Sequence, residues 1–239
     1  MQLAIFSDIH ANLEALEVAA DYAKTRHIDR YTLLGDTIGY GADPNECLTW
    51  ALEHAQIHLM GNHEKGVLDP SLEEWFDPRA WEALKWTARA LDEDLKKRIR
   101  DLSYVRIEKE MSFAHGSLHE PEEFHYLRRF VDARPSFAVM ETPVCFVGHT
   151  HVPSCFFEKE GAAAYLPEGI IPLKEGERCI LNPGSVGQPR EADKRLSFGI
   201  YDDAARTFEI VRLAYDSQKA AEKILRAGLP RIFADRLLS

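Results

Sequence analysis

A chain of 239 residues, 45% of them hydrophobic, is long enough for one α/β domain with a substantial buried core. Its formal net charge of −10, with no basic stripe to offset it, argues against a general nucleic-acid binder. No stretch approaches the ~20 apolar residues of a membrane span, and the N-terminus runs directly into a strand pattern rather than a charged-then-apolar leader. Cys47, Cys145, Cys155 and Cys179 are far apart and lack a Cys-x-x-Cys spacing. They read as buried reduced thiols, so a cytoplasmic protein is expected.

In chain order, residues 3–6 predict a short apolar strand, and helical periodicity over 11–23 follows with Asn12 as its N-cap. A strand over 31–34 ends at Gly35-Asp36. Asp43-Pro44 then supplies the N-cap and first position of a helix to about residue 54. A strand over 57–59 leads into Gly61-Asn62-His63-Glu64. This β-α-β-α-β order predicts a parallel sheet with right-handed crossovers. Residues 66–102 differ in character. Asp77-Pro78 and Asp92 open helices over 79–91 and 93–102, so a helical hairpin insertion is expected over or beside the strand ends. Trp75, Trp81 and Trp86 fall in this stretch and read as helix-core packing in preference to base stacking.

From residue 104 the pattern turns to β, with strands near 104–107, 110–114, 144–147, 155–158, 178–181, 196–201 and 206–212, several as antiparallel hairpins. Asp202-Asp203 marks a turn between the last two. A helix over 217–226 is stopped by Gly228-Leu229-Pro230, and a short terminal helix follows. With no repeat or linker, a single domain over 1–239 is expected.

Five segments carry chemistry: Asp8-Ile9-His10, Gly35-Asp36, Gly61-Asn62-His63-Glu64, Ala114-His115-Gly116 and Gly148-His149-Thr150-His151. Each places Asp, Asn or His after an apolar run, where a sheet ends and a functional loop begins. Asp8 and His10, two apart, share one side of an extended strand end and reach one cation. Asp36 has two oxygens and can bridge two cations. Asn62 offers a neutral oxygen, and His115, His149 and His151 offer imidazoles. With no Cys among the donors, the set suits hard or borderline divalent ions at a hydrolytic centre. Two carboxylates against two such ions leave a charge of about +2, which suits a phosphoryl group.

In this order the segments resemble the calcineurin-like metallophosphoesterases, over most of the chain from Asp8 to about Arg190. The resemblance implies a four-layer α-β-β-α sandwich of the α/β (α+β) class with the metals at the strand ends. It implies that Asp8, His10, Asp36 and His151 hold one metal and that Asp36, Asn62, His115 and His149 hold the other, with Asp36 bridging. It further implies two divalent or mixed-valence ions, Mn or Fe in the first place and Zn, Co or Ni as alternatives. A hydroxide bridging them would attack phosphorus in line, with His63 contacting the leaving group or a phosphate oxygen. The implied substrate is a small phosphate ester, a phosphodiester or a (di)nucleotide.

Gly35-Asp36-Thr37-Ile38-Gly39-Tyr40-Gly41, His115-Gly116-Ser117 with Pro121 and Tyr126-Leu127 downstream, and the run from Asn182 to Arg190 are similar to a bacterial branch described as diadenosine tetraphosphatase-like. There the Gly-rich run after Asn182 would bring backbone N–H groups to phosphate, and Arg190 would add a bidentate contact. One departure stands out. Protein phosphatases of the family carry an Asp three residues after the bridging Asp, followed by Arg, and here those positions are Gly39 and Tyr40. That lowers a protein Ser/Thr phosphatase to an alternative, beside a non-catalytic scaffold. Glu64 is expected to steady its loop. His119 and His125 are pocket-lining candidates, and His27, His54 and His58 are expected at the surface or at helix edges.

Overall fold

Leu3 and Ile5 leave the first strand, β1 (Gln2–Phe6), on one side and Ala4 and Phe6 on the other, and all four are fully buried. A strand covered on both faces belongs inside a layered structure. The computed structural model describes residues 1–238 and shows those layers. The first sheet runs β3 (Ala55–His58), β2 (Arg30–Leu33), β1, β11 (Leu196–Asp202), β12 (Thr207–Leu213), β9 (Gly169–Pro172). The second runs β4 (Val105–Glu108), β5 (Met111–Ala114), β6 (Val144–Phe146), β10 (Cys179–Asn182), β7 (Ser154–Phe157), β8 (Ala162–Tyr165). As the β-α-β-α-β order requires, β1, β2 and β3 pair in parallel.

Leu3 and Ile5 meet Phe113, Phe146, Leu181 and Phe208 between the two sheets, where the Phe113 and Phe146 rings stack at 5.3 Å. Ala4 and Phe6 face α1 (Leu13–Thr25) and α2 (Pro44–His54) through Leu16, Ala19 and Cys47. On the far side, α6 (Phe130–Val139) lays Ala133 and Phe137 on Cys145, Phe156 and Ile180 of the second sheet. The expected four-layer α-β-β-α sandwich is therefore present. Burying each of these aromatic and aliphatic side chains stabilises the fold by roughly 1.5–3 kcal/mol.

Asn12 caps α1 by accepting from Ala15 N at 3.2 Å. The two helices expected after residue 77 are α4 (Pro78–Ala90) and α5 (Glu93–Ile99), the second ending three residues earlier than its periodicity suggests. They pack on different neighbours. Ala80 and Ala83 of α4 meet α7 (Ser217–Arg226) and α8 (Arg231–Leu238), while Ile99 of α5 joins Ile38 and Leu48.

Several elements were not expected. Residues after Gly61 form α3 (Asn62–Leu68), and a 3₁₀ helix follows over Pro70–Trp75. The chain also adds β8 and β9, with α6 in the stretch before β6. Strand β8 reads Ala-Ala-Ala-Tyr and is exposed throughout, so it has no alternating pattern. Helix α6 carries Pro135 inside it, a residue that ordinarily argues against a helix. All four cysteines are buried and unpaired, as expected. Among the described residues, no helix is long and apolar enough to cross a membrane.

Candidate metal centre

The strand ends of both sheets converge on one spot, and the loops that carry them are wound tightly. Asp8, His10, Asp36, His149 and His151 all have φ between 50° and 64°. A residue with a side chain occupies this left-handed region at a cost of roughly 1–3 kcal/mol, and such strain gathers at functional sites. Backbone bonds hold the loops together: Asp8 N donates to Gly35 O at 3.1 Å and His10 N to Asp36 O at 2.9 Å. The close approach of the sheets needs Gly148, where a Cβ would lie 1.9 Å from Ser7 Oγ.

The Glu64 carboxylate is the main anchor of the Asp36 loop. Fully buried, it accepts from Asp36 N at 2.9 Å, Thr37 N at 2.7 Å and Gly61 N at 3.0 Å. It therefore ties the ends of β2 and β3 together, a larger part than the loop-steadying role expected from its position. The run after Asn182 departs from expectation. Its backbone donors do not face a substrate cavity: Val186 N and Gly187 N each donate at 3.0 Å, to Ser7 O and Asp8 O. Gln188 N donates to Ser185 Oγ at 2.8 Å. This loop is a buttress for Asp8, and the N–H groups of Val186, Gly187 and Gln188 are not free to cradle phosphate.

His10 Nδ1 lies 3.1 Å from Ile38 O, His115 Nδ1 2.9 Å from Leu34 O, and His151 Nδ1 2.6 Å from Gln188 O. A carbonyl accepts only, so each Nδ1 carries a proton; burial holds His10 and His151 neutral with a lone pair on Nε2, whereas the Asp36 carboxylate, against burial, raises His115 to about 9. Those lone pairs point inward. His10 Nε2 and His151 Nε2 are 3.1 Å apart, and Asp8 Oδ1 is 3.3 Å from His151 Nε2 and 3.8 Å from His10 Nε2. His115 Nε2 is 3.3 Å from Asp36 Oδ2 and 3.2 Å from Asn62 Oδ1. Two groups emerge, each with ligand atoms within 4.8 Å of one another: Asp8, His10, Asp36 and His151, and Asp36, His115 and His149. Asp36 belongs to both.

Burial opposes the Asp8 charge, but His151 beside it holds the carboxyl well below its usual range. His115 and His63 do the same for Asp36 against its burial. Burial pushes His10 and His149 down, which keeps them as neutral, ligating imidazoles. Asp8 Oδ1 is buried and has no hydrogen-bond partner. A buried acceptor carboxylate facing imidazole lone pairs fits a divalent cation.

Other predicted residues are distributed around this spot. His63 Nε2 lies 4.0 Å from Asp36 Oδ2, and burial pushes its pKa down to about 4. Arg190 Nη2 lies 3.5 Å from Tyr40 Oη. His125 lines the outer cleft, but His125 and His119 instead face Glu120, at 3.0 and 3.5 Å. His58 is not a surface residue: it is half-buried on β3 and bonds Thr37 Oγ1 through Nε2 at 2.9 Å. Trp81 is buried as expected, whereas Trp75 is 52% exposed and stands in the cleft with Asn62 and His149. Two tyrosines whose placement sequence reasoning missed form walls. The Tyr40 ring packs on His63 at 4.4 Å and His10 at 4.6 Å, and the Tyr126 ring stacks on His149 at 3.9 Å.

A four-layer sandwich with Asp, Asn and His donors converging at its strand ends is the arrangement of a metallophosphoesterase. Residues 1–205 match the calcineurin-like phosphoesterase superfamily domain, and the chain belongs to that family. It is 36% identical over 240 residues to an uncharacterised protein of Methanocaldococcus jannaschii, covering 98% of this chain and 96% of that one. The crystal structure of a metallophosphoesterase from Sphaerobacter thermophilus superposes with a TM-score of 0.90 at 34% identity, over 100% of this chain and 98% of that one. A hypothetical protein from Pyrococcus horikoshii OT3 shares the fold at a TM-score of 0.81 and 17% identity, covering 99% and 97% of the two chains. The family is one of phosphoester hydrolases, and the His/Asp cluster accords with divalent-metal binding.

Proposed function

We propose that this protein is a metal-dependent phosphoesterase that hydrolyses a small phosphate ester, a phosphodiester or a (di)nucleotide, at a two-cation centre. Asp8, His10, Asp36 and His151 would hold one cation and Asp36, Asn62, His115 and His149 the other; the donor set suits Mn, Fe, Zn, Co or Ni, and the family resemblance favours Mn or Fe. The observation that carries this reading is the 3.1 Å separation of His10 Nε2 and His151 Nε2. Both Nδ1 atoms are committed to carbonyls, so two lone pairs face each other inside the protein, and only a cation between or beside them makes that favourable. Bound there, divalent cations would supply Lewis acidity to phosphoryl oxygens and lower the pKa of water from 15.7 towards ~7.

The chain's own residues do the rest. His63 is neutral, and its Nδ1 is buried with no partner. The tautomer that avoids an unpaired buried N–H carries the proton on Nε2, the atom nearest Asp36. His63 would then donate that N–H to a phosphoryl oxygen or to the departing oxygen. Tyr40 and Tyr126 wall the approach, their rings against those of His10 and His149. Gly39 and Tyr40 speak against the protein phosphatase reading, because no carboxylate orients His63.

The test is hydrolysis by metal-stripped protein with Mn²⁺ added back, comparing bis(p-nitrophenyl) phosphate, p-nitrophenyl phosphate and diadenosine tetraphosphate. Mn-dependent turnover of the diester or the dinucleotide is expected, with a loss of at least about 100-fold in Asp36→Asn, which keeps the acceptor for His63 N. Silence on all three substrates, or unchanged turnover in Asp36→Asn, would overturn the proposal.

A further inference from the structure

Tyr40 and Tyr126 stand between two clefts of about 270 Å³ each and line both. One cleft contains Asn62 and His149 and therefore opens on the candidate metal centre. The other is floored by Phe233 of α8 and contains Arg190 and Arg236. Phe233 packs on the Tyr40 ring at 4.5 Å and lies under the Arg236 guanidinium at 5.5 Å, so the terminal helix is fixed against the same tyrosine that touches His10 and His63.

The charge of this second cleft is unbalanced. Among the described residues, neither Arg190 nor Arg236 has a carboxylate oxygen within 4.0 Å, although most other arginines of the chain do. The one carboxylate on its lining, Asp77, gives its two oxygens to Arg79 at 3.1 and 3.2 Å. Burial and the charge of Arg190 both press the Arg236 guanidinium below its ordinary range, while the guanidinium itself stays charged. Against its burial, Arg190 is supported by Tyr40, Tyr126 and the charge of Asp8, whereas Arg236 has no carboxylate of its own, so an anion entering between the two guanidiniums over the apolar floor is favourable.

We infer that Arg190 and Arg236 form a receiving site for a second phosphate group of the substrate, across Tyr40 and Tyr126 from the group held at the metal centre. This rests on the phosphoesterase reading and narrows it: the substrate carries two phosphate groups far enough apart to straddle the tyrosine wall. Phosphate fits better than carboxylate, because a charge near −2 matches the two guanidiniums and three oxygens serve both forks. Arg236 comes from the last turn of α8, so that helix takes part in choosing the substrate.

Non-hydrolysable alkane bisphosphonates with three- to five-carbon spacers test this by calorimetry on the Mn-loaded protein, against propylphosphonate as the single-anion reference. At one spacer length or more, the bisphosphonate is expected to bind at least about tenfold tighter than the monophosphonate. That advantage should vanish in Arg236→Gln and survive in Arg231→Gln, a variant of an exposed arginine on the same helix that lies 3.5 Å from Asp235. Absence of any advantage, its survival in Arg236→Gln, or equal loss in Arg231→Gln would overturn the inference. Binding is read without turnover, so its failure is separable from failure of the phosphoesterase reading. An Arg236-dependent bisphosphonate advantage in a protein that hydrolyses no ester would leave the site standing and remove the activity.

Discussion

Gly39 and His63 occupy each other's space: a Cβ on residue 39 would lie 2.1 Å from His63 Nδ1, and the Gly39 backbone sits at φ +87°. The imidazole therefore fills the space that any side chain at residue 39 would need. Gly39→Asp is accordingly not expected to rebuild an Asp-His pair. Both Gly39→Asp and Gly39→Ala should lose roughly 2–4 kcal/mol of stability, through the positive φ and the overpacked ring, together with more than about tenfold of turnover. Thermal denaturation and kcat read this out. A Gly39→Asp variant of wild-type stability and higher activity would show that the ring moves aside freely.

Glu64 organises the neighbouring loop from inside. Its carboxylate takes backbone donors from Asp36, Thr37, Ile38 and Gly61, at 2.7 to 3.3 Å. Glu64→Ala leaves those buried donors without their acceptor and should lower stability by at least about 3 kcal/mol. Because the same bonds aim Asp36, metal affinity should fall about 10- to 100-fold. Glu64→Gln keeps one acceptor but turns an NH₂ towards the backbone donors, so it should fall between. Denaturant midpoints and metal titrations would separate the three proteins, and an alanine variant with unaltered metal affinity would refute the anchoring role.

The partnerless Asp8 Oδ1 and the facing imidazole lone pairs make the cation-free site a source of instability. Mn²⁺ at 100 times its Kd should add about 2.7 kcal/mol, which for a chain of this length is a rise of roughly 5–10 °C in Tm. Chelation should reverse it, and Asp36→Asn should respond to Mn²⁺ much less. A Tm indifferent to both Mn²⁺ and chelator would count directly against the two-cation centre.

How much of this was legible in the sequence divides along a physical line. Asp8, His10, Asp36, Asn62, His115, His149 and His151 were readable because each sits just past an apolar run, and the structure brings all seven together. The two-sheet sandwich was readable through the strand order and the family resemblance. Strand β8 was not, because an exposed Ala-Ala-Ala-Tyr run has no face to bury. Helix α6 hid behind Pro135. The run after Asn182 misled for a different reason: its glycines suggested a phosphate cradle, yet its N–H groups pair with the Ser7 and Asp8 carbonyls. No local pattern reports which partner a donor finds. Arg236 likewise looks like any helix-end arginine until Phe233 is seen against Tyr40.

His58 is set apart from the candidate ligands, and it should make the fold sensitive to mild acid. Its Nε2 bonds Thr37 Oγ1 at 2.9 Å, its Nδ1 has no partner, and burial pushes its pKa from 6.5 down to about 4. The unfolded chain, with the ordinary pKa, therefore binds more protons between these two values, so stability rises with pH across that window. The contribution is fully present above 6.5 and is lost as pH falls towards 4. Between pH 7 and pH 5, metal-free wild-type protein should lose roughly 1–2 kcal/mol more than His58→Gln, which keeps a polar group near Thr37 and does not titrate. Urea midpoints at the two pH values give the difference, in which the other buried histidines cancel because both proteins carry them. Parallel losses in the two proteins would mean that His58 takes up its proton in the folded state as easily as in the unfolded one.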